Sequence, residues 1–112
     1  MPGEIVVIKD IAADNTDVLA GTDLENIPGI GNLDVFVVST QADTIFTITA
    51  PGQATPLREQ LAQLKTNAVV SQTDDMPVSL DCFGGRYIIS VNIVTGATVK
   101  CMVVFTPAED ED

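Results

Sequence analysis

In several short stretches of this 112-residue chain, apolar side chains recur at every second position, with turn-forming residues between the stretches. Alternation of that kind marks a half-buried strand. Val78, Leu80 and Cys82 alternate with Ser79 and Asp81. Tyr87 to Val94 and Thr98 to Phe105 predict a hairpin closed by the loop Thr95-Gly96-Ala97. That loop length pairs Ile93 with Val99, Val91 with Cys101, Ile89 with Val103 and Tyr87 with Phe105. The eight apolar groups then share one face, and Ser90, Asn92, Thr98 and Lys100 share the other; a one-residue slip would mix them. Leu33 to Thr40 and Thr44 to Ala50 predict a second hairpin around Gln41-Ala42-Asp43, with Phe36 opposite Ile48 and Val38 opposite Phe46. Phe36, Phe46 and Phe105 are expected in the core.

The mostly apolar run Glu4 to Ile11 predicts another strand, and Val18-Leu19-Ala20 a short one after the turn at Asn15-Thr16-Asp17. Thr22 to Leu33 contains Pro28, Gly29 and Gly31 and reads as a long loop that Ile27 and Ile30 tuck down. Pro51-Gly52-Gln53, Thr73-Asp74-Asp75 with Pro77, and Gly84-Gly85 are turn or bulge positions. Thr55 to Asn67 carries two signals at once. Leu57, Leu61 and Leu64 fall at i, i+4 and i+7 behind Thr55 and Pro56, which predicts one short helix near 56–65. The β pattern around it predicts an extended segment. Seven to nine short strands without βαβ alternation give an all-β fold, an antiparallel β-sandwich with jelly-roll connectivity among its options. One domain over 1–106 and an acidic tail over 107–112 complete the expected organisation.

Composition reinforces this reading. Val, Ile and Thr number 14, 10 and 12, and β-branched residues favour pleated surfaces. Sixteen acidic residues against five basic ones give a net charge of −11. Counterion release from nucleic acid requires Lys and Arg, so no nucleic-acid partner is expected, and an anionic membrane surface is disfavoured by the same sign. With Met1-Pro2-Gly3-Glu4 at its start no secretory signal is expected, and no apolar run approaches the ~20 residues of a membrane helix. Cys82 and Cys101 lie in apolar strands and behave as small hydrophobes, unless the two strands neighbour one another closely enough for a bridge.

Candidate chemistry is sparse. The chain contains no histidine, which removes the commonest general base and metal ligand and all Ser–His and Cys–His pairs. Gly29-Ile30-Gly31 has neither the lysine nor the helix of a phosphate loop. Asp74-Asp75, or Asp14 with Asp17, offer paired carboxylates for acid–base work or calcium, but solvated turns account for adjacent loop carboxylates more simply. With no Trp and one Tyr there is no aromatic platform for sugars or bases. No enzyme activity, cofactor, metal or catalytic residue is expected.

A positive mean hydropathy of +0.29 with only 19% charged residues suits faces that bury against other subunits. Here the chain resembles small capsid accessory proteins of tailed and marine phages. The likeness is carried by Asp17-Val18-Leu19-Ala20-Gly21-Thr22, Ile27-Pro28-Gly29, Leu33 to Thr40 with Ala42-Asp43-Thr44, and Asn92 to Val99. The resemblance implies a β-sandwich or jelly roll that trimerises on the outside of a viral head. It also implies an extended Thr55 to Asn67 and supplies no catalytic residues. The expected function is therefore a virion structural protein, a decoration or cement module. It would be made in the host cytoplasm, act on the capsid surface, and bind its own copies and the major capsid protein. The alternative is a carbohydrate-binding or adhesin-type β-sandwich, calcium-assisted through loop carboxylates.

Overall fold

A computed structural model of the protein describes residues 4–66, 70 and 77–108. Eight strands form: β1 (Ile5–Ile11), β2 (Ile27–Ser39), β3 (Ile45–Thr49), β4 (Arg58–Leu61), β5 (Gln63–Leu64), β6 (Val78–Gly85), β7 (Ile88–Asn92) and β8 (Val99–Pro107). Among the described residues there is no helix. The first sheet runs β1-β8-β2, and the far edge of β2 is shared by β6 along Ile27–Val35 and by β5, parallel, at Val38–Ser39. The second sheet runs β4-β3-β7. Its β7 edge is closed by the 15–18 segment: Asn15 and Val91 exchange both backbone bonds at 2.9 and 2.8 Å, and the Val18 N–H donates to the Ile89 carbonyl at 2.8 Å.

Counting that segment as a reduced strand, the layers read β1-β8-β2-β6 and (15–18)-β7-β3-β4. Successive strands cross from one sheet to the other almost throughout, which is the connectivity of a jelly roll. The all-β sandwich expected from the sequence is present.

Alternation predicts the burial well. Val78, Leu80 and Cys82 point inward along β6, as do Val99, Cys101, Val103 and Phe105 along β8. They meet Phe46, Ile48, Ile89 and Val91 of the second sheet in one cluster, which Val18, Leu19 and Leu24 also join. Gly31 faces the same interior, where a Cβ would collide with the Thr106 carbonyl oxygen and the Phe105 ring.

Strand partners differ from the expected ones. Neither hairpin forms: β2 pairs with β8, β6 and β5, whereas β3 pairs with β4 and β7, and β7 and β8 lie in different sheets. The eight apolar groups from Tyr87 to Phe105 do face a common core, but from opposite sides of it. A period of two fixes which face is buried and leaves open whether the covering strand lies beside it or across from it. The Gln41-Ala42-Asp43 connection is an arch between sheets, with Asp43 at φ 74°. Inside the arch Ser39 and Thr44 are buried with their hydroxyls 3.0 Å apart, and Ser39 Oγ also donates to the Gln41 carbonyl at 2.9 Å. Val35, Val37 and Ser39 therefore face inward, and Phe36 moves to the outer face.

The helix near 56–65 is replaced by β4 and β5. Leu57 donates to the Ile48 carbonyl at 2.7 Å and Ala62 to Thr44 at 2.7 Å, so the segment satisfies the otherwise open edge of β3. The leucine stripe has no core to face, and Leu57, Leu61 and Leu64 are all exposed. The expected loop over Thr22 to Leu33 becomes strand from Ile27 onward, with Ile27 buried and Ile30 exposed. Val18-Leu19-Ala20 forms a turn instead of a strand. The Thr73-Asp74-Asp75 turn and residues 109–112 of the tail lie outside the described residues.

Candidate interaction surface

The outer face of the first sheet continues the cross-strand register of the inner one. Val6 of β1 stands opposite Val104 of β8, and Ile8 opposite Met102, which in turn faces Phe36 of β2. Phe36, Met102 and Val104 are buried as a second apolar cluster, against which Val70 packs. Val6 and Ile8, one strand further out, are 44% and 55% exposed. They sit on an edge strand that has no partner on its outer side among the described residues. Soluble proteins usually blunt such an edge with charge, proline or a bulge. Here only the far half of β1 is blunted, by Lys9 and by Asp10, which Lys100 meets at 3.3 Å.

The carboxylates singled out from the sequence do not assemble. Asp14 accepts the Ile93 N–H through Oδ1 at 2.8 Å. Asp17 takes its own backbone N–H to Asn15 Oδ1 at 2.9 Å and is paired through Oδ2 with Arg86. The second guanidinium nitrogen of Arg86 donates to Glu25 at 2.8 Å. This fork ties the 15–25 segment to the turn Gly84-Gly85-Arg86, whose glycines adopt φ of 94° and 100°. The Arg86 hydrogen bond holds the Glu25 carboxyl below its ordinary range, and Glu25 and Asp17 hold the guanidinium above its own. These side chains seal the β7 edge of the sandwich. Asp17 Oδ1 is the one buried side-chain oxygen without a partner among the described residues. Asp74-Asp75 lie outside those residues, and no group of three or more acidic or thiol side chains able to hold a metal occurs within them.

Both cysteines are free and buried. Cys82 stands across β2 at Gly31 and Cys101 at Val37, on opposite edges of that strand. Six positions along a strand is roughly 20 Å, far beyond disulfide reach. Burial raises the Cys82 thiol and pushes Cys101 up to about 12, so neither is a nucleophile at neutral pH.

Two of the openings among the described residues bear on these faces. One, of about 320 Å³, enters between the sheets beside β4 and β5 and is floored by Val35, Val37, Phe46 and Val78. The other, of about 430 Å³, lies on the outer face at the margin opposite β1, over Ile30 and Phe83. From the sequence pattern alone Ile30 and Phe36 point inward, and neither outer-face patch is apparent. The available signal was that β1, β2 and β8 carry apolar residues at odd and even positions alike. No family model, curated protein or solved structure matches this chain.

Proposed function

We propose that this protein is a non-enzymatic assembly module of the head decoration or cement kind, a homo-oligomer that binds and stabilises a viral shell. Its expected partners are its own copies, as a trimer, and the major capsid protein, at the capsid surface. The observation that carries the reading is the unblunted apolar half of β1, with Val6 and Ile8 exposed beside an open strand edge. Val6 and Ile8 are each about half exposed, so covering them gains roughly half of the ~1.5–3 kcal/mol of a full burial, an incentive for association that a solitary copy leaves unused. A two-fold would pair β1 with itself. A three-fold places it against a different surface of the neighbour, and among the described residues the outer margin of β6 is another open edge of the same sheet. Binding only the assembled state stabilises the shell by mass action. The jelly roll alone is neutral on the matter, since viral and lectin domains both use it. The carbohydrate or adhesin alternative loses support because Asp14 and Asp17 are engaged in closing the fold.

Light scattering on the size-exclusion peak should give a trimer, and Ile8→Asp should give a monomer with the β-sheet circular dichroism retained. The wild-type chain should also co-sediment with purified viral shells stripped of accessory proteins and raise their melting temperature. A wild-type monomer at every concentration, together with no shell binding, refutes the proposal.

A further inference from the structure

The exposed edge of β1 has a complement on the opposite margin of the same sheet. In an antiparallel strand the N–H and C=O of one residue point to one neighbour, and those of the next residue to the other. Three bonds fix that alternation along β2. On the β8 side, the Ile30 carbonyl accepts the Ala108 N–H at 3.0 Å and the Thr40 N–H donates to the Thr98 carbonyl at 3.1 Å. On the far side, the Ser39 carbonyl accepts the Lys65 N–H at 2.9 Å. Even positions of β2 therefore bond toward β8 and odd positions toward β6 and β5. Carried across the strand registers, Ile5, Val7, Lys9 and Ile11 bond to β8, and Val78, Leu80 and Cys82 bond to β2.

The backbone groups left pointing off the sheet belong to Val6, Ile8 and Asp10 on β1 and to Ser79, Asp81 and Phe83 on β6. Among the described residues neither margin has a further strand, and the Phe83 N–H alone is capped, by the Tyr87 hydroxyl at 3.3 Å. The same six residues carry their side chains on the exposed outer face. Open backbone and exposed side chains are thus in phase at both margins. Phe83 is 73% exposed, and Ile30 beside it on β2 is 63% exposed.

We propose that β1 of one copy pairs antiparallel with β6 of the next, with Val6 opposite Phe83, Ile8 opposite Asp81 and Asp10 opposite Ser79, and that three such contacts close the trimer. This rests on the self-association proposed above and names the surface that β1 meets. Direction permits it: β1 and β6 run oppositely within the sheet, and a three-fold axis along the strands keeps each copy's direction. Charge and face select the register. A one-residue slip turns outer side chains against inner ones. Slips of two residues set Asp10 against Asp81, or Glu4 against the Phe83 ring. Pairing β1 with its own copy so that Val6 meets Ile8 sets Glu4 opposite Asp10 at both ends, a like-charge arrangement, and leaves Phe83 and Ile30 in water.

Disulfide trapping reads the contact directly. Within one copy, three strand spacings of roughly 4.8 Å separate β1 from β6, so Val6→Cys and Phe83→Cys in the same chain cannot bridge to each other. The double variant should oxidise to a covalent trimer on non-reducing gels. Each single variant, and the wild type with its buried Cys82 and Cys101, should stay at the mass of one chain. Phe83→Glu, at an exposed position, should keep the β-sheet circular dichroism and raise the concentration at which trimers form by ~10-fold or more. The pairing is overturned if the double variant stays uncross-linked while the wild type is a trimer, or if covalent species run past three copies. It is equally overturned if Val6→Cys chains cross-link to Ile8→Cys chains, or if Phe83→Glu assembles as the wild type does. Those results leave the assembly reading intact. Wild-type chains that stay monomeric at every concentration overturn the pairing together with the self-association beneath it.

Discussion

The two faces of the first sheet are built from the same strands and treat their apolar residues differently. On the inner face, Leu33, Val35, Val103 and Phe105 are fully covered by the second sheet. On the outer face, Phe36, Met102 and Val104 are covered with Val70, while Val6, Ile8, Ile30 and Phe83 remain in water. Inner residues are accounted for by folding. The exposed outer ones are only partly covered by folding, and they occupy the two opposite margins of the sheet.

The sharpest way to break this contrast is truncation across the sheet. Phe105→Ala should cost ~3–5 kcal/mol in urea unfolding, because it removes a fully buried ring between the layers. Ile8→Ala, measured below the concentration of association, should stay within ~0.5 kcal/mol of wild type. Equal losses at the two positions would mean that the outer face is part of the folding core. A smaller effect is expected from overfilling the inner face: Gly31→Ala should cost ~1–3 kcal/mol, since one of the two groups in the way is the Thr106 backbone carbonyl. An unchanged urea midpoint would show that β2 and β8 can separate there.

The smallest effect concerns the seal on the second sheet. The folded-state value of the Glu25 carboxyl is lowered, so its contribution is complete above the ordinary carboxylate range and is lost as pH falls through the lowered value. Thermal melting of wild type and Glu25→Gln should therefore differ at neutral pH and converge in acid. A gap that persists unchanged in acid would remove the Arg86 pairing as its cause.

Much of the inner face was legible in sequence. Val78-Leu80-Cys82 and the set from Tyr87 to Phe105 announce strands and buried sides, because alternation follows directly from the pleat. Pairing was not legible. Residues such as Thr95-Gly96-Ala97 turn the chain equally well within a sheet or between sheets, and Ser39 with Thr44 reads as an ordinary polar pair until both are enclosed in the arch. Helical spacing of Leu57, Leu61 and Leu64 misled because an unfilled edge on β3 outweighs local propensity. The outer patches escaped notice for a related reason: residues apolar on both faces of β2 look like a single core.

The position of β8 governs when this molecule can come into being. The last strand lies between the first two members of its sheet, separating β1 from β2 along their whole paired length. Emerging from the ribosome, the chain must hold some ninety residues without a template for that gap, and among the described strands only β3 and β4 can zip up as local neighbours. The sandwich thus cannot close until Val99–Pro107 is available, and a message cut short ahead of Val99 would release a product with two raw apolar edges, prone to aggregate.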